Sequence, residues 1–151
     1  QILDRYTTQA DLIRTDAFGR TPLAVAIEMA GNNDHHDPDE IDFSVIIQRL
    51  LNDDQNGSSK AAVFLPMNVA GFPMLPLHQA LHQGVGLEDG SENIVKAYPE
   101  ALSIPDPRSN LLPCLLAAVG ERARVENIFG LMNMRPDLIV PLCGNHKKFS
   151  G

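Results

Sequence analysis

The stretch Leu75-Pro76-Leu77-His78-Gln79-Ala80 decides how the chain is read, because variants of it occur at Thr21-Pro22-Leu23-Ala24-Val25-Ala26 and at Leu112-Pro113-Cys114-Leu115-Leu116-Ala117. Each copy places an apolar residue beside or nearly beside a proline, and an alanine four positions after it. Proline at the first helical position loses no hydrogen bond, since the N–H it lacks would be an orphan there, and its fixed φ already suits a helix. Each copy therefore predicts a helix start. Leu23 and Leu77 are expected to point into a core, and Ala26, Ala80 and Ala117 are small enough to let a neighbouring helix approach closely.

Turn chemistry precedes each proline: Asp16-Ala17-Phe18-Gly19, Asn68-Val69-Ala70-Gly71 and Asp106-Pro107-Arg108-Ser109-Asn110. Asp and Asn side chains bond their own backbone two residues on, and Gly or Asn accepts the positive φ of a tight turn. Asn110 precedes its proline by the same interval as Gly19, whereas Phe72-Pro73-Met74-Leu75 lengthens the middle link. A second helix recurs as well. Ile2-Leu3-Asp4-Arg5-Tyr6 followed by Asp11-Leu12-Ile13 parallels Ile128-Phe129-Gly130-Leu131-Met132 followed by Asp137-Leu138-Ile139, and Ile94 to Leu102 fills the same slot. The unit is a turn, a short helix, a loop and a longer helix.

In this pattern the chain resembles the ankyrin-repeat family, whose unit is about 33 residues long and opens its first helix with Thr-Pro-Leu-His-x-Ala. The copies are divergent: Thr21 alone keeps the threonine, His78 alone the histidine, and Cys114 stands where leucine is usual. The interval from Pro22 to Pro76 is also about half as long again as that from Pro76 to Pro113, so the first unit carries an insertion. The alternative is an unrelated α-helical bundle. The resemblance implies an all-α ankyrin-like solenoid with short connections, in one domain over residues 1–141 with a polar tail at 142–151. It comprises a partial unit at 1–14 and units at about 15–54, 67–102 and 105–141.

Composition agrees with a folded helical protein: 44% of the 151 residues are hydrophobic and 21% charged, which excludes wholesale disorder. Aromatics are 5% and tryptophan is absent, favouring an aliphatic helical core over a sandwich or barrel. No apolar run is long enough to span a bilayer and no signal segment opens the chain. The first residue is Gln1, and Ile2 to Thr8 reads as the tail helix of a missing unit, so the chain is expected to be a piece of a longer one. Cys114 and Cys143 do not make a disulfide framework, which tilts the expectation toward a reducing, intracellular setting. Asn56-Gly57-Ser58 fits a glycosylation acceptor that matters only in a secretory protein.

The net charge of −7 is uneven, because Glu28 to Asp54 holds eight acids against Arg49 alone and the rest of the chain balances. That argues against a nucleic-acid surface, which needs clustered Lys and Arg. From Asp42 the pattern Phe43, Ile46, Ile47, Leu50, Leu51 predicts an amphipathic helix with acids at its start, where the dipole favours them. Helices are also expected from Pro22 to about Ala30 with Gly31-Asn32-Asn33 as the stop, from Pro76 to Gln83, and from Ser91 as a cap to Tyr98. The last unit is expected to hold helices from Pro113 to Val119 and from about Ala123 to Met134. Ala61 to Leu65 is a short apolar piece.

Chemical sites are sparse. Asp34-His35-His36-Asp37-Pro38-Asp39-Glu40 mixes imidazole and carboxylate, but adjacent loop residues rarely converge on one ion without a second segment. It reads better as an exposed acidic loop in which Asp34, Asp37, Asp39 and Glu40 would meet a partner with a basic surface. Asn52-x-Asp54-x-Asn56-Gly57 mimics half of a calcium loop, yet Val63 occupies the position of the bidentate glutamate. The glycines from Gly84 to Gly90 come without lysine and with two acids, which would repel phosphate, so the stretch reads as a loop between helices. No metal or cofactor is therefore expected.

Cys114 with His78 is the one catalytic pair to weigh. The resemblance instead gives His78 a backbone bond between units and Cys114 a place in the core, and implies no enzyme. What it implies is a protein-binding or scaffold module, contacting its partner through turn tips and the exposed side of the first helices: Ala17, Phe18, Arg20, Phe72, Gln79, Gln83 and Arg108. Phe18 and Phe72 would either anchor a partner or tuck between units. The other reading is a structural subunit held within a larger assembly.

Overall fold

The computed structural model describes residues 16–32, 41–52 and 74–138. Among the described residues the chain is helical and carries no strand. Helices α1 (Pro22–Asn32), α2 (Phe43–Asn52), α3 (Pro76–Gln83), α4 (Glu92–Ala97), α5 (Pro113–Leu116) and α6 (Val125–Met134) follow in order. A wide turn at Leu87–Ser91 runs into α4, and 3-10 turns at Pro99–Ser103 and Pro136–Leu138 follow α4 and α6. Ile2 to Thr8, the acidic loop, Ala61 to Leu65, the Asn68 to Gly71 turn, Phe72 and the tail lie outside the described residues.

All three prolines sit at helix starts, as their missing N–H dictates. Thr21 caps α1 by accepting the Ala24 N–H at 3.1 Å on its side-chain oxygen. Leu75 and Leu112 hold the same extended geometry before α3 and α5 without a side-chain cap. The turns before α1 and α5 share one construction. The Asp16 carboxylate accepts the N–H groups of Phe18 and Arg20, both at 2.9 Å. The Asp106 carboxylate accepts the N–H and O–H of Ser109 at 2.9 and 2.8 Å. Gly19 (φ 77) and Asn110 (φ 58) supply the positive φ that each turn needs three residues before its proline.

Packing follows the apolar faces. The first helices of the three pairs form a row, with α3 against both α1 and α5, while α2 packs on α1, on α4 and on the wide turn, and α6 packs on α5. Leu23, Ile27, Ile47, Leu77 and Ile94 are fully buried in one core, joined by the small Ala26, Ala80 and Ala117. Leu50 and Leu51 are buried with Ile47, and Phe43 and Ile46 pack against the same core, so the predicted face of α2 is the one used. Truncating Leu23 or Leu77 to alanine in such a setting costs roughly 2–5 kcal/mol.

Three local expectations are corrected, and the stop of α1 falls where it was expected. α1 ends at Asn32, inside the expected Gly31-Asn32-Asn33 stop, and Gly31 lies in its last turn. A Cβ there would lie 2.7 Å from both the Cβ and the carbonyl oxygen of Gln83, so the glycine serves close approach. Ser91 is not a cap: it has helical backbone and its hydroxyl donates to the Val85 carbonyl at 2.9 Å. The stretch from Gly84 to Gly90 is only partly loop, since its second half is the wide turn. Finally, α5 is a single turn ending at Leu116 rather than Val119, and α6 begins at Val125, later than about Ala123. The residues after α5 do not continue it, and Gly120 takes a φ of 106.

Candidate functional site

The turn ahead of α1 projects the most exposed large apolar side chain among the described residues. Phe18 is 72% exposed, and the Arg20 guanidinium lies 5.1 Å from its ring centroid. Arg20 is itself held on both sides, by Asp16 at 2.9 Å and by Glu28 on α1 at 2.9 Å. The Arg20 N–H and then the Phe18 N–H, both donated to Asp16, hold its carboxyl below the usual range against the opposing cost of burial. Phe18 is thus carried on a turn whose backbone is bonded in place, with one ring face already against a cation.

Arg108 is exposed on the equivalent turn before α5 and has no ion pair among the described residues. Gln79 and Gln83, read from the sequence as groups facing a partner, are both half-buried, and each bonds a neighbouring segment. The Gln79 amide donates to the Ala24 carbonyl on α1 at 3.1 Å, and the Gln83 carbonyl accepts from Arg122 at 3.0 Å. Phe18, Arg20 and Arg108 therefore lie on turns, and Gln79 and Gln83 at contacts between helices. Phe72, Asp34, Asp37, Asp39 and Glu40 lie outside the described residues.

No hydrogen bond joins Cys114 to His78 among the described residues. His78 is buried and its Nε2 bonds the Ile104 carbonyl at 2.8 Å, while Nδ1 has no partner among the described residues. Burial holds the His78 imidazole below its ordinary pKa, only partly offset by the Ile104 carbonyl and by Asp106. Cys114 is a free thiol in the core. Near them the buried Asp106 faces His82 Nε2 at 3.2 Å. Burial drives the Asp106 carboxyl up, but the two Ser109 bonds and His82 outweigh it and the net displacement is downward. Among the described residues no group of three or more His, Cys, Asp or Glu side chains is arranged to hold a metal ion.

Two features escaped sequence reading. The first is the clamp of α6 on the wide turn: buried Asn127 donates to the Val85 carbonyl at 3.0 Å and accepts the Leu87 N–H at 3.0 Å, with Arg124 paired to Asp89 at 3.0 Å. Its only signal was the repetition of Glu92-Asn93-Ile94 as Glu126-Asn127-Ile128. The second is a set of exposed apolar side chains in and between the last two helices, Leu115, Val119, Val125 and Phe129, the last two exposed at 62% each. The i, i+4 spacing within each couple was visible, but its outward direction was not.

No family model, no curated protein and no solved structure matches this chain. Among the described residues no helix is long and apolar enough to cross a membrane.

Proposed function

We propose that the chain is a non-catalytic protein-interaction module of divergent ankyrin-like repeats, which binds its partner through the turn tips ahead of α1 and α5. The observation that carries this reading is Phe18, an aromatic ring exposed to solvent on a turn pinned by Asp16, with Arg20 stacked on it. A side chain presented in this way adds large contact area at small ordering cost, which is how aromatic and arginine anchors dominate interfaces. Arg108 is exposed on the matching turn before α5. The acidic loop of Asp34, Asp37, Asp39 and Glu40 would add attraction for a basic partner surface.

The test is photo-crosslinking from native extract with the crosslinker at Ala17, beside the anchor, at low and high salt. A discrete adduct that disappears in the Phe18→Ala, Arg108→Ala double variant while the helical signal is retained supports the reading. An adduct pattern that the double variant leaves unchanged rejects it.

A second reading is favoured by the exposed Leu115, Val119, Val125 and Phe129. A subunit of a larger assembly would have that surface covered by a neighbour. It separates from the first by hydrodynamics: a recognition module sediments as a monomer alone, whereas an assembly subunit self-associates, and Phe129→Glu restores the monomer.

A further inference from the structure

Arg122 lies exposed between α5 and α6, yet its Nη1 donates to the Gly31 carbonyl at 3.1 Å and to the Gln83 carbonyl at 3.0 Å. Those carbonyls belong to the ends of α1 and α3, where a helix leaves its last C=O groups without intrahelical partners and where a cation is favoured. Two glycines make the convergence possible. A Cβ at Gly31 would sit 2.7 Å from the Gln83 Cβ, and one at Gly84 would sit 2.7 Å from the Arg122 Cβ. Three segments from three successive helix pairs therefore meet at one guanidinium.

We infer that Arg122 is a strap that couples the last helix pair to the first across the pair between them, so that opening of the C-terminal end is transmitted to the end of α1. Contacts between neighbouring pairs carry coupling only one step at a time. Arg122 bypasses that limit by bonding both helix ends at once. The inference is independent of any binding partner.

Amide hydrogen exchange on the full chain tests it. In Arg122→Gln, exchange is expected to quicken by about tenfold in the last turns of α1 and α3, as well as in α5 and α6, because one net hydrogen bond shifts a local opening equilibrium by about that factor. Gly31→Ala pushes the end of α1 off Gln83 and is expected to quicken exchange in α6, although it touches no residue there. Changes confined to residues 113–134 in Arg122→Gln, or confined to α1 and α3 in Gly31→Ala, would overturn the strap. Either variant alone suffices for the decision should the other fail to fold.

Discussion

His78 Nε2 donates to the carbonyl of Ile104 at 2.8 Å, joining α3 to the chain segment that opens the following helix pair. The imidazole is buried, so the bond is made away from water and its loss leaves a carbonyl without a partner. His78→Ala is therefore expected to cost about 2–4 kcal/mol, the sum of lost packing and an unpaired acceptor. A urea titration of the full chain measures it.

The same residue sets a pH dependence. Burial lowers the His78 pKa below its ordinary value of 6.5, so the folded chain holds this proton less tightly than the unfolded chain. The stability it confers is fully present above pH 6.5 and declines as pH falls from there through the lowered folded value. Asp106, also displaced downward, adds a loss at lower pH, below its ordinary 3.8. The denaturation midpoint is expected to fall between pH 7 and pH 5 in the wild type and to be flatter over that range in His78→Gln.

Much of this architecture was legible because proline, aspartate and positive-φ residues act locally. Pro22, Pro76 and Pro113 started helices where the missing N–H allowed it, and Gly19 and Asn110 marked equivalent turns. The α2 face of Ile47, Leu50 and Leu51 followed from its spacing. What failed depended on the neighbour across the gap. Ser91 looked like a cap until its hydroxyl went to Val85. The bonds from Gln79 to Ala24 and from Arg122 to Gln83 were not legible, because nothing in the helix of the two glutamines shows the group opposite.

Asn127 gives a prediction of its own. Its amide satisfies the Val85 carbonyl and the Leu87 N–H from a fully buried position. Asn127→Leu keeps the volume but strands both groups, and is expected to destabilise by about 2–4 kcal/mol. Asn127→Asp can still accept from Leu87 but cannot donate to Val85, so it too is destabilising at neutral pH. Thermal denaturation of both variants checks the pair.

Two glycines of positive φ should respond differently to alanine. Gly84 (φ 73) faces Arg122, with a Cβ 2.7 Å from its Cβ, whereas a Cβ at Gly120 (φ 106) meets nothing within 4 Å. Both substitutions carry backbone strain of order 1–3 kcal/mol. Only Gly84→Ala adds a clash, so it is expected to have the lower urea midpoint of the two.

The central claim is that the rigid turn bearing Phe18 is the anchor of a partner interface. Its most direct test is an equilibrium titration of the crosslinked partner, once identified, against the wild type and Phe18→Ala. With Phe18 72% exposed, the variant loses no core packing, so its urea midpoint should match the wild type. The expected result is a dissociation constant raised about thirtyfold, as for a hot-spot aromatic. An unchanged constant with the fold intact would contradict the claim.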